Sequence, residues 1–253
     1  MKQLSFGILL HKILCGVRGS VFGAFMVCGM GVLLDALDTS KVNATLKENG
    51  IEGKVVATEP SALAGFSFVT IEQGKFWIPL LADESGSVLL AITPNTMFSS
   101  NKAFLTKFGE LAQKISTHNN QITEDMVLAV FKKNTKNILE ITGNNTKKTT
   151  YMVLDINCPY CKQEVDKIEE YLKEANLKIF VVGILSMDSA KKAATFMAQL
   201  GSLGTNEQKV AYLKKAFSKD FKPNDGVKTD NVISIAKALN EAGLRGVPYL
   251  IKR

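Results

Sequence analysis

The chain has 253 residues, of which 46% are hydrophobic and 22% are charged, proportions that are typical of a globular protein. Its formal net charge is +7, but lysines alternate with acidic residues along most segments and form no long basic block. The composition therefore argues against a nucleic-acid-binding protein, and a weak attraction to anionic surfaces stays open.

The first 36 residues differ in character from the rest of the chain. Lys2, Lys12 and Arg18 precede an uncharged, mostly apolar run over residues 19–34. A basic segment followed by such a run predicts a secretory signal or an uncleaved inner-membrane anchor, and a buried core helix is the remaining interpretation. The run is shorter than the roughly 20 residues of a membrane-spanning helix. We therefore assign residues 1–36 to export, as a signal peptide or an anchor.

Residues 38–98 are predicted to form a small, strand-rich domain. A short helix over 43–50 comes first, and alternating apolar and polar residues then predict four strands, over 54–57, 66–72, 76–81 and 88–92. Pro79 indicates that the third strand lies at a sheet edge. A unit of this size is marginal when it folds alone, so packing against a second copy of the chain is expected.

Two helices are predicted next, joined at the polar residues 118–121. Residues 102–117 repeat apolar side chains at helical spacing, and Thr123 is a suitable N-cap for a second helix that ends near residue 134. The first helix is interpreted as a linker between domains, over residues 99–121, with an ordinary core helix as the alternative. The second helix opens a domain that is predicted to span residues 122–253.

The most informative motif lies in this second domain. Strands are predicted over residues 138–142 and 149–156, and residues 158–161 are Cys-Pro-Tyr-Cys, followed directly by an amphipathic helix. A strand, a Cys-x-x-Cys motif and a helix in succession indicate a redox site. The N-terminus of the helix favours a thiolate at Cys158, and the thiolate is the species that attacks a disulfide.

A zinc site and a structural disulfide are the alternatives for this cysteine pair. The other two cysteines fall within the first 36 residues, so the exported chain would offer zinc only Cys158, Cys161 and the distant His118. Structural zinc needs four ligands, and a disulfide that closes so short a loop constrains the unfolded chain little. We therefore predict a redox pair that needs no metal and no organic cofactor. Asp155, three residues before Cys158, is either a proton acceptor or an ordinary strand-end residue.

The remaining elements are a strand over residues 178–184, three helices and a final strand. The helices are predicted over 189–200, 207–218 and 231–242, and glycines and prolines separate them. Residues 246–248, Gly-Val-Pro, lead into the last strand.

Residues 154–161 resemble the active-site strand and motif of the bacterial periplasmic thiol–disulfide proteins of the DsbC/DsbG type. Residues 246–248 resemble the cis-proline loop of these proteins, and residues 46–51 with the strands after them resemble their N-terminal dimerisation domain. The resemblance covers about residues 40–253. It implies an α+β fold, in which a strand-rich dimerisation domain and a linker helix precede a thioredoxin-fold domain with a helical insert.

The resemblance also implies a role for each site residue. Cys158 would be the exposed nucleophile, and Cys161 would be the resolving thiol. Pro248 would be the cis-proline, and Val247 would contact the substrate through its backbone. The substrate-binding set would be Val247, Pro248, Pro159 and Tyr160, and the dipeptide between the cysteines would also tune the stability of the reduced form.

Two features depart from the family pattern. Isomerases of this type usually have Thr before the cis-proline, whereas this chain has Val247, as DsbA-type oxidases do. Only five residues follow Pro248, where the family continues into a further strand and a helix. Either the chain is a fragment or its sheet lacks an edge strand, and we expect a C-terminally truncated domain.

The predicted function is that of a periplasmic, homodimeric oxidoreductase that forms or isomerises disulfides in exported proteins. Its partners would be unfolded cysteine-containing exported proteins and a membrane redox partner. A disulfide reductase, for example in cytochrome c maturation, and a non-catalytic periplasmic chaperone are the alternatives.

Overall fold

The computed structural model of the protein describes residues 37–253, which form one unit. The predicted signal peptide or anchor, residues 1–36, lies outside this described part. Within residues 37–253, no helix combines the length and the apolar character that a membrane crossing requires.

The first half of the described chain is an antiparallel sheet with a short helix packed on one of its faces. α1 (Thr39–Glu48) begins at Asp38, whose side chain accepts a hydrogen bond of 2.9 Å from the Ser40 N–H. The helix packs Val42 and Leu46 onto the sheet. The strands follow in spatial order as β1 (Lys54–Pro60), β2 (Phe66–Gln73), β3 (Phe76–Asp83) and β4 (Leu89–Ala91).

The prediction that the third strand lies at an edge is wrong, because β3 pairs with both β2 and β4. Pro79 is tolerated because β4 pairs only with residues 80–82 of β3. The Pro79 carbonyl faces the β4 side, where it accepts a hydrogen bond of 3.3 Å from the Ile92 N–H. The Pro79 ring nitrogen also faces the β4 side, at a position that β4 does not pair with. The proline therefore removes no hydrogen bond between β3 and β2.

A single helix, α2 (Lys102–Lys133), runs through both halves of the molecule. The predicted break at residues 118–121 and the predicted helix start at Thr123 are therefore wrong. The N-terminal half of α2 packs Phe104 and Phe108 against Phe68 of β2. The C-terminal half packs its apolar side chains, Val127, Val130 and Phe131, into the core of the second sheet. The predicted linker is thus also a core helix for both halves.

The polar residues near the middle of α2 bind the hairpin between β2 and β3. The Asn119 Oδ1 accepts a hydrogen bond of 2.8 Å from the Trp77 N–H, and the Asn119 Nδ2 donates one of 2.9 Å to the Trp77 carbonyl. The His118 ring stacks on the Trp77 indole with 3.9 Å between the ring centroids. Because these polar side chains have partners in the hairpin, their presence in the sequence did not mark the end of a helix.

The second half of the described chain is a mixed four-stranded sheet with the thioredoxin-type arrangement. Its strands are β5 (Leu139–Ile141), β6 (Thr149–Asp155), β7 (Asn176–Val182) and β8 (Tyr249–Lys252), in spatial order β5-β7-β6-β8. β6 and β7 are parallel, and β5 and β8 pair antiparallel to their neighbours. The two parallel strands need a crossover connection, which α3 (Pro159–Asp166) and α4 (Ile168–Glu174) supply. One helix was predicted here, and Lys167 divides it.

Helices cover both faces of this second sheet. The predicted helical insert between β7 and β8 consists of α5 (Met187–Ala198), α6 (Asn206–Ala216) and α7 (Asp230–Glu241). Met152 and Leu154 of β6 lie in one core with residues of α3, α5 and α6, and Val153 lies in a second core with residues of α2 and α7. β6 is therefore buried on both faces, which fixes the position of its C-terminal end.

Gly183 follows β7 directly and allows α5 to approach closely. An added Cβ would lie 2.2 Å from the Ala190 Cα and 2.4 Å from the Ala190 N. We therefore expect Gly183→Ala to displace α5 and to destabilise the protein by about 1–3 kcal/mol, measured by urea unfolding.

Gly109→Ala is the matched control. Gly109 lies at an exposed position of α2, where an added Cβ meets no atom within 4 Å, so alanine should stabilise the helix by about 0.5–1 kcal/mol. Equal urea midpoints for the two variants would contradict the close contact at Gly183.

Candidate active site

The Cys-Pro-Tyr-Cys segment lies just beyond the C-terminal end of β6. Cys158 is the N-cap of α3, with φ −85° and ψ 117°, and Pro159 occupies the start of the helix. Proline is well suited to the first helical position, because the N–H that it lacks has no partner within a helix. The strand, the motif and the helix are thus arranged as the sequence predicted.

Both cysteines are free thiols, and both are buried. Cys158 keeps 5% of its surface exposed and Cys161 keeps none. The expectation of an exposed nucleophile at Cys158 is therefore wrong for this structure. The residue is covered because the loop before β8 crosses it, and the Cys158 thiol donates a hydrogen bond to the Val247 carbonyl with 3.6 Å between Sγ and oxygen. Tyr160, between the two cysteines, is 65% exposed, so the motif itself reaches the surface.

Cys161 lies deeper, behind the first turn of α3. Its Sγ accepts a hydrogen bond of 3.4 Å from the backbone N–H of Asp155. Burial raises the pKa of the Cys161 thiol well above its ordinary value, and the adjacent Cys158 thiol raises it further, while the Asp155 N–H offsets part of the increase. Cys161 is therefore a protonated thiol at neutral pH, which makes it a poor first nucleophile.

The loop that covers Cys158 contains the second predicted motif. The Val247–Pro248 peptide bond is cis, as predicted. β8 begins at the next residue, and Tyr249 pairs with Val153 of β6. This pairing places the end of the loop beside the end of β6, so two segments about 90 residues apart in sequence meet at one sulfur atom.

Asp155 is the last residue of β6 and is completely buried. Its Oδ1 accepts a hydrogen bond of 2.9 Å from the Asn157 N–H. Its Oδ2 accepts bonds of 2.9 Å and 3.1 Å from the N–H groups of Ile184 and Leu185. The carboxylate thus links the turn before Cys158 to the segment after β7 through hydrogen bonds. The sequence left open a proton acceptor or an ordinary strand-end residue, and these contacts support the second interpretation, with a role in holding the turn in place.

Comparison with known proteins gives a family match in the first half of the described chain and structural matches over more of it. Residues 42–128 match the family model of the N-terminal domain of disulfide isomerase DsbG, over α1, the first sheet and most of α2. This N-terminal part of the chain is DsbG-like. The structure of the chain is similar to that of Helicobacter pylori DsbG, with 25% sequence identity and a TM-score of 0.50, over 85% of this chain and 100% of that one. The predicted resemblance and the predicted fold class are thereby confirmed.

Two further solved structures are similar to this chain at lower identity. A periplasmic thioredoxin-like protein of Salmonella enterica serovar Typhimurium has 20% identity and a TM-score of 0.39, over 50% of this chain and 83% of its own. A linker-deletion variant of Proteus mirabilis ScsC has 16% identity and a TM-score of 0.38, over 62% and 88%. No curated protein sequence matches the chain.

A polar cluster that the sequence did not predict lies beside the cysteines. The Asn157 Nδ2 donates a hydrogen bond of 2.9 Å to Asp188, and the Asn157 Oδ1 accepts one of 2.9 Å from Lys192. Lys192 and Asp188 also form an ion pair at 2.9 Å within α5. The hydrogen bond from Asn157, followed by that from Lys192, holds the pKa of Asp188 below its ordinary value. The i, i+4 spacing of Asp188 and Lys192 was a visible signal, but nothing in the sequence indicated that Asn157 would join them.

Proposed function

We propose that the protein is an exported thiol–disulfide oxidoreductase in which Cys158 reacts with the client and Cys161 resolves the mixed disulfide. The observation that carries this proposal is the meeting of three groups: a cysteine at a helix N-cap, a second thiol buried behind it, and the cis-proline loop across it. The matches to DsbG support this class of chemistry.

Exchange begins when the Cys158 thiolate attacks one sulfur of a client disulfide. A bond forms between Cys158 and the client, the client disulfide breaks, and the second client sulfur leaves as a thiolate that takes up a proton. Cys161 then loses its proton and attacks the Cys158 sulfur, and the first client cysteine leaves. The protein is oxidised, and the client is reduced. The same steps in reverse oxidise a client dithiol.

Two features of the surroundings of Cys158 act on the first step. The first-turn N–H groups of α3 have no partners within the helix, and their positive potential stabilises a negative sulfur. The hydrogen bond to the Val247 carbonyl needs the protonated thiol, so ionisation of Cys158 releases that carbonyl. The freed carbonyl becomes an acceptor for a backbone N–H of the client. In this proposal Val247 and Pro248 bind the client through the loop, and Pro159 and Tyr160 form the adjoining surface.

The test is exchange with a disulfide-containing reporter peptide in a glutathione buffer. Cys158→Ser should reduce exchange to the uncatalysed background, because a serine hydroxyl does not attack disulfides. Cys158 should also be the site of covalent labelling when the reduced protein is treated with a peptide disulfide. Undiminished exchange by the folded serine variant would contradict the assignment of the nucleophile.

We propose that residues 38–98 form a dimerisation domain, that residues 99–121 link it to a catalytic domain over residues 122–253, and that the protein works in the periplasm. The match to the DsbG N-terminal domain supports dimerisation. Among the described strands, β1 pairs only with β2 and leaves an open edge, and Val56 of β1 is 38% exposed. Sedimentation equilibrium should give twice the monomer mass, and a monomer at micromolar concentration would contradict the proposal.

Val247 favours oxidation over isomerisation as the main activity. The redox state of the Cys158–Cys161 pair in cells separates the two, because an oxidase is held oxidised and an isomerase is held reduced by its membrane partner. A reductase would show a low reduction potential, near that of thioredoxin at about −270 mV. A chaperone would keep its cellular role when Cys158 is replaced by serine.

A further inference from the structure

A groove of about 700 Å³ lies beside the redox site, between the segment after β7 and helix α7. Gly246, at one end of the groove, is adjacent to Val247, whose carbonyl accepts the hydrogen bond from Cys158. The groove therefore continues directly from the place where a client sulfur would bond. The lining residues that matter here are Ile184, Leu185, Ile233, Leu244, Arg245 and Gly246.

Large apolar side chains in the groove are exposed to solvent. Ile184 is 36% exposed, Leu185 is 54% exposed and Ile233 is 43% exposed, while Leu244 is almost fully buried. These residues come from three separate segments of the chain that converge on one surface. A contiguous patch of large apolar side chains beside a reactive group is typical of a binding surface.

The groove is also preformed, because a buried carboxylate fixes the backbone of its apolar wall. The N–H groups of Ile184 and Leu185 donate to the buried Asp155 carboxylate. The same carboxylate accepts the Asn157 N–H in the turn before Cys158. The wall of the groove and the redox turn are therefore fixed to one buried group, so the groove keeps its position relative to Cys158.

The rim of the groove carries two basic side chains, Lys237 and Arg245, and one acidic side chain, Glu241. The Arg245 guanidinium donates hydrogen bonds of 3.1 Å and 2.8 Å to the backbone carbonyl and the side-chain oxygen of Asn240. Over residues 37–253, Arg245 takes part in no ion pair with a carboxylate. Lys237 contacts Glu241 only at 3.9 Å. An acidic side chain of an occupant would complement this exposed arginine.

We propose that this groove binds the segment of the client next to its reacting cysteine, in extended form, with an apolar side chain against Leu185 and Ile233 and an acidic side chain facing Arg245. The inference rests on the proposed function and adds a sequence preference to it. An extended chain advances about 3.3 Å per residue, so the side chains that enter the groove lie within about two to four residues of the client cysteine. They lie on one side of the cysteine only, because the groove extends from one end of the loop.

The test uses the Cys161→Ala variant, in which a client disulfide with Cys158 is not resolved from within the chain. Glycine- and serine-based peptides with one cysteine compete with glutathione for Cys158, and chromatography gives each equilibrium constant. One leucine is placed two, three or four residues before or after the cysteine. We expect leucine on one side to strengthen mixed-disulfide formation by about tenfold and leucine on the other side to have no effect.

Variants of the groove test whether this preference arises there. Leu185→Ser combined with Ile233→Ser should remove the effect of leucine, measured in each variant relative to the leucine-free peptide. Leu90→Ser, at a 49% exposed position of β4 in the first sheet, is the matched control and should keep it. A glutamate placed farther from the peptide cysteine than the leucine should strengthen binding further. In the Arg245→Glu variant, a peptide with lysine at that position should bind more strongly than the peptide with glutamate.

The outcomes separate the two proposals. If every peptide forms a mixed disulfide equally well, the groove does not bind the client, while the function of Cys158 stands. The same conclusion follows if the leucine effect survives in the Leu185→Ser, Ile233→Ser variant. A leucine effect that disappears as the protein concentration rises would show that a second copy occupies the groove instead, and it would overturn the proposal. If no peptide forms a mixed disulfide, the proposed function itself fails.

Discussion

Replacing Cys161 by alanine is expected to leave the attack on a client disulfide intact and to stop its resolution. Without Cys161, only external thiols can release the client, and these lack the high effective concentration of a thiol held three residues away. Turnover should therefore fall by at least about a hundredfold, and the protein should accumulate as a disulfide between Cys158 and the client. Mass spectrometry of the trapped species identifies the disulfide bond. Stopped-flow kinetics should show an unchanged rate for the attack of Cys158 on the client disulfide.

The double variant, in which Cys158 is also replaced by alanine, is the control for this experiment. It should trap no client, because the remaining polypeptide contains no thiol within residues 37–253. Loss of the first attack in the single Cys161→Ala variant would mean that Cys161 helps to activate Cys158. Turnover at the normal rate would show that Cys161 does not resolve the mixed disulfide.

The buried position of Cys161 also has a consequence for stability. Its pKa is raised in the folded, reduced protein, whereas the unfolded chain ionises near the ordinary value of 9.0. The unfolded state therefore releases a proton first as the pH rises, and the stability that is fully present below pH 9 is lost above it. The loss should be at most about 1.4 kcal/mol per pH unit. Cys161→Ala removes the ionising group, so urea unfolding above pH 9 should show a shallower decline for the variant than for the reduced wild-type protein.

What the sequence could predict was determined by local interactions. A cysteine that follows a buried strand and precedes Pro159 becomes a helix N-cap for reasons contained within a few residues. The strands around the site were predictable for the same reason, since β6 and β7 each contain a run of four apolar residues, 151–154 and 179–182, that contribute to the core on both faces of the sheet.

What could not be predicted depends on contacts between distant segments. The cover over Cys158 comes from Val247, and a spacing of 89 residues carries no signal in a single sequence. His118 and Asn119 looked like a loop because their partner, the hairpin at Trp77, lies about 40 residues earlier in the chain. The role of Asp155 was undecided because two of its three donors come from the segment after β7.

Asp155→Asn is expected to be among the most destabilising conservative substitutions in the catalytic half. An amide keeps one acceptor oxygen and replaces the other with an N–H₂ group. Whichever way the amide is turned, its N–H₂ faces either the Asn157 N–H or the N–H groups of Ile184 and Leu185. Each buried donor that is left without an acceptor costs about 1–3 kcal/mol. Urea unfolding should therefore show a loss of about 1–3 kcal/mol for each donor that loses its acceptor.

Asp166→Asn is the matched control for this substitution. Its side chain is 58% exposed and pairs with Lys162 on the surface of α3, so the same chemical change should cost less than about 0.5 kcal/mol. If the two variants were equally stable, the three hydrogen bonds to Asp155 would not be holding the site together.

A second measurement distinguishes a general loss of stability from loss of position at the redox site. The carboxylate holds both the turn that carries Cys158 and the wall of the groove, and its charge helps to raise the pKa of Cys161. In Asp155→Asn, the exchange rate per folded molecule should therefore fall, and the pH at which Cys161 begins to ionise should move down. Gly183→Ala disturbs the neighbouring contact with α5 without changing a charge, so it should not move that pH. Asp155→Asn removes the negative charge beside Cys161. If the titration of Cys161 were unchanged in this variant, the charge would have no effect on Cys161, and the carboxylate would act only by holding the backbone in position.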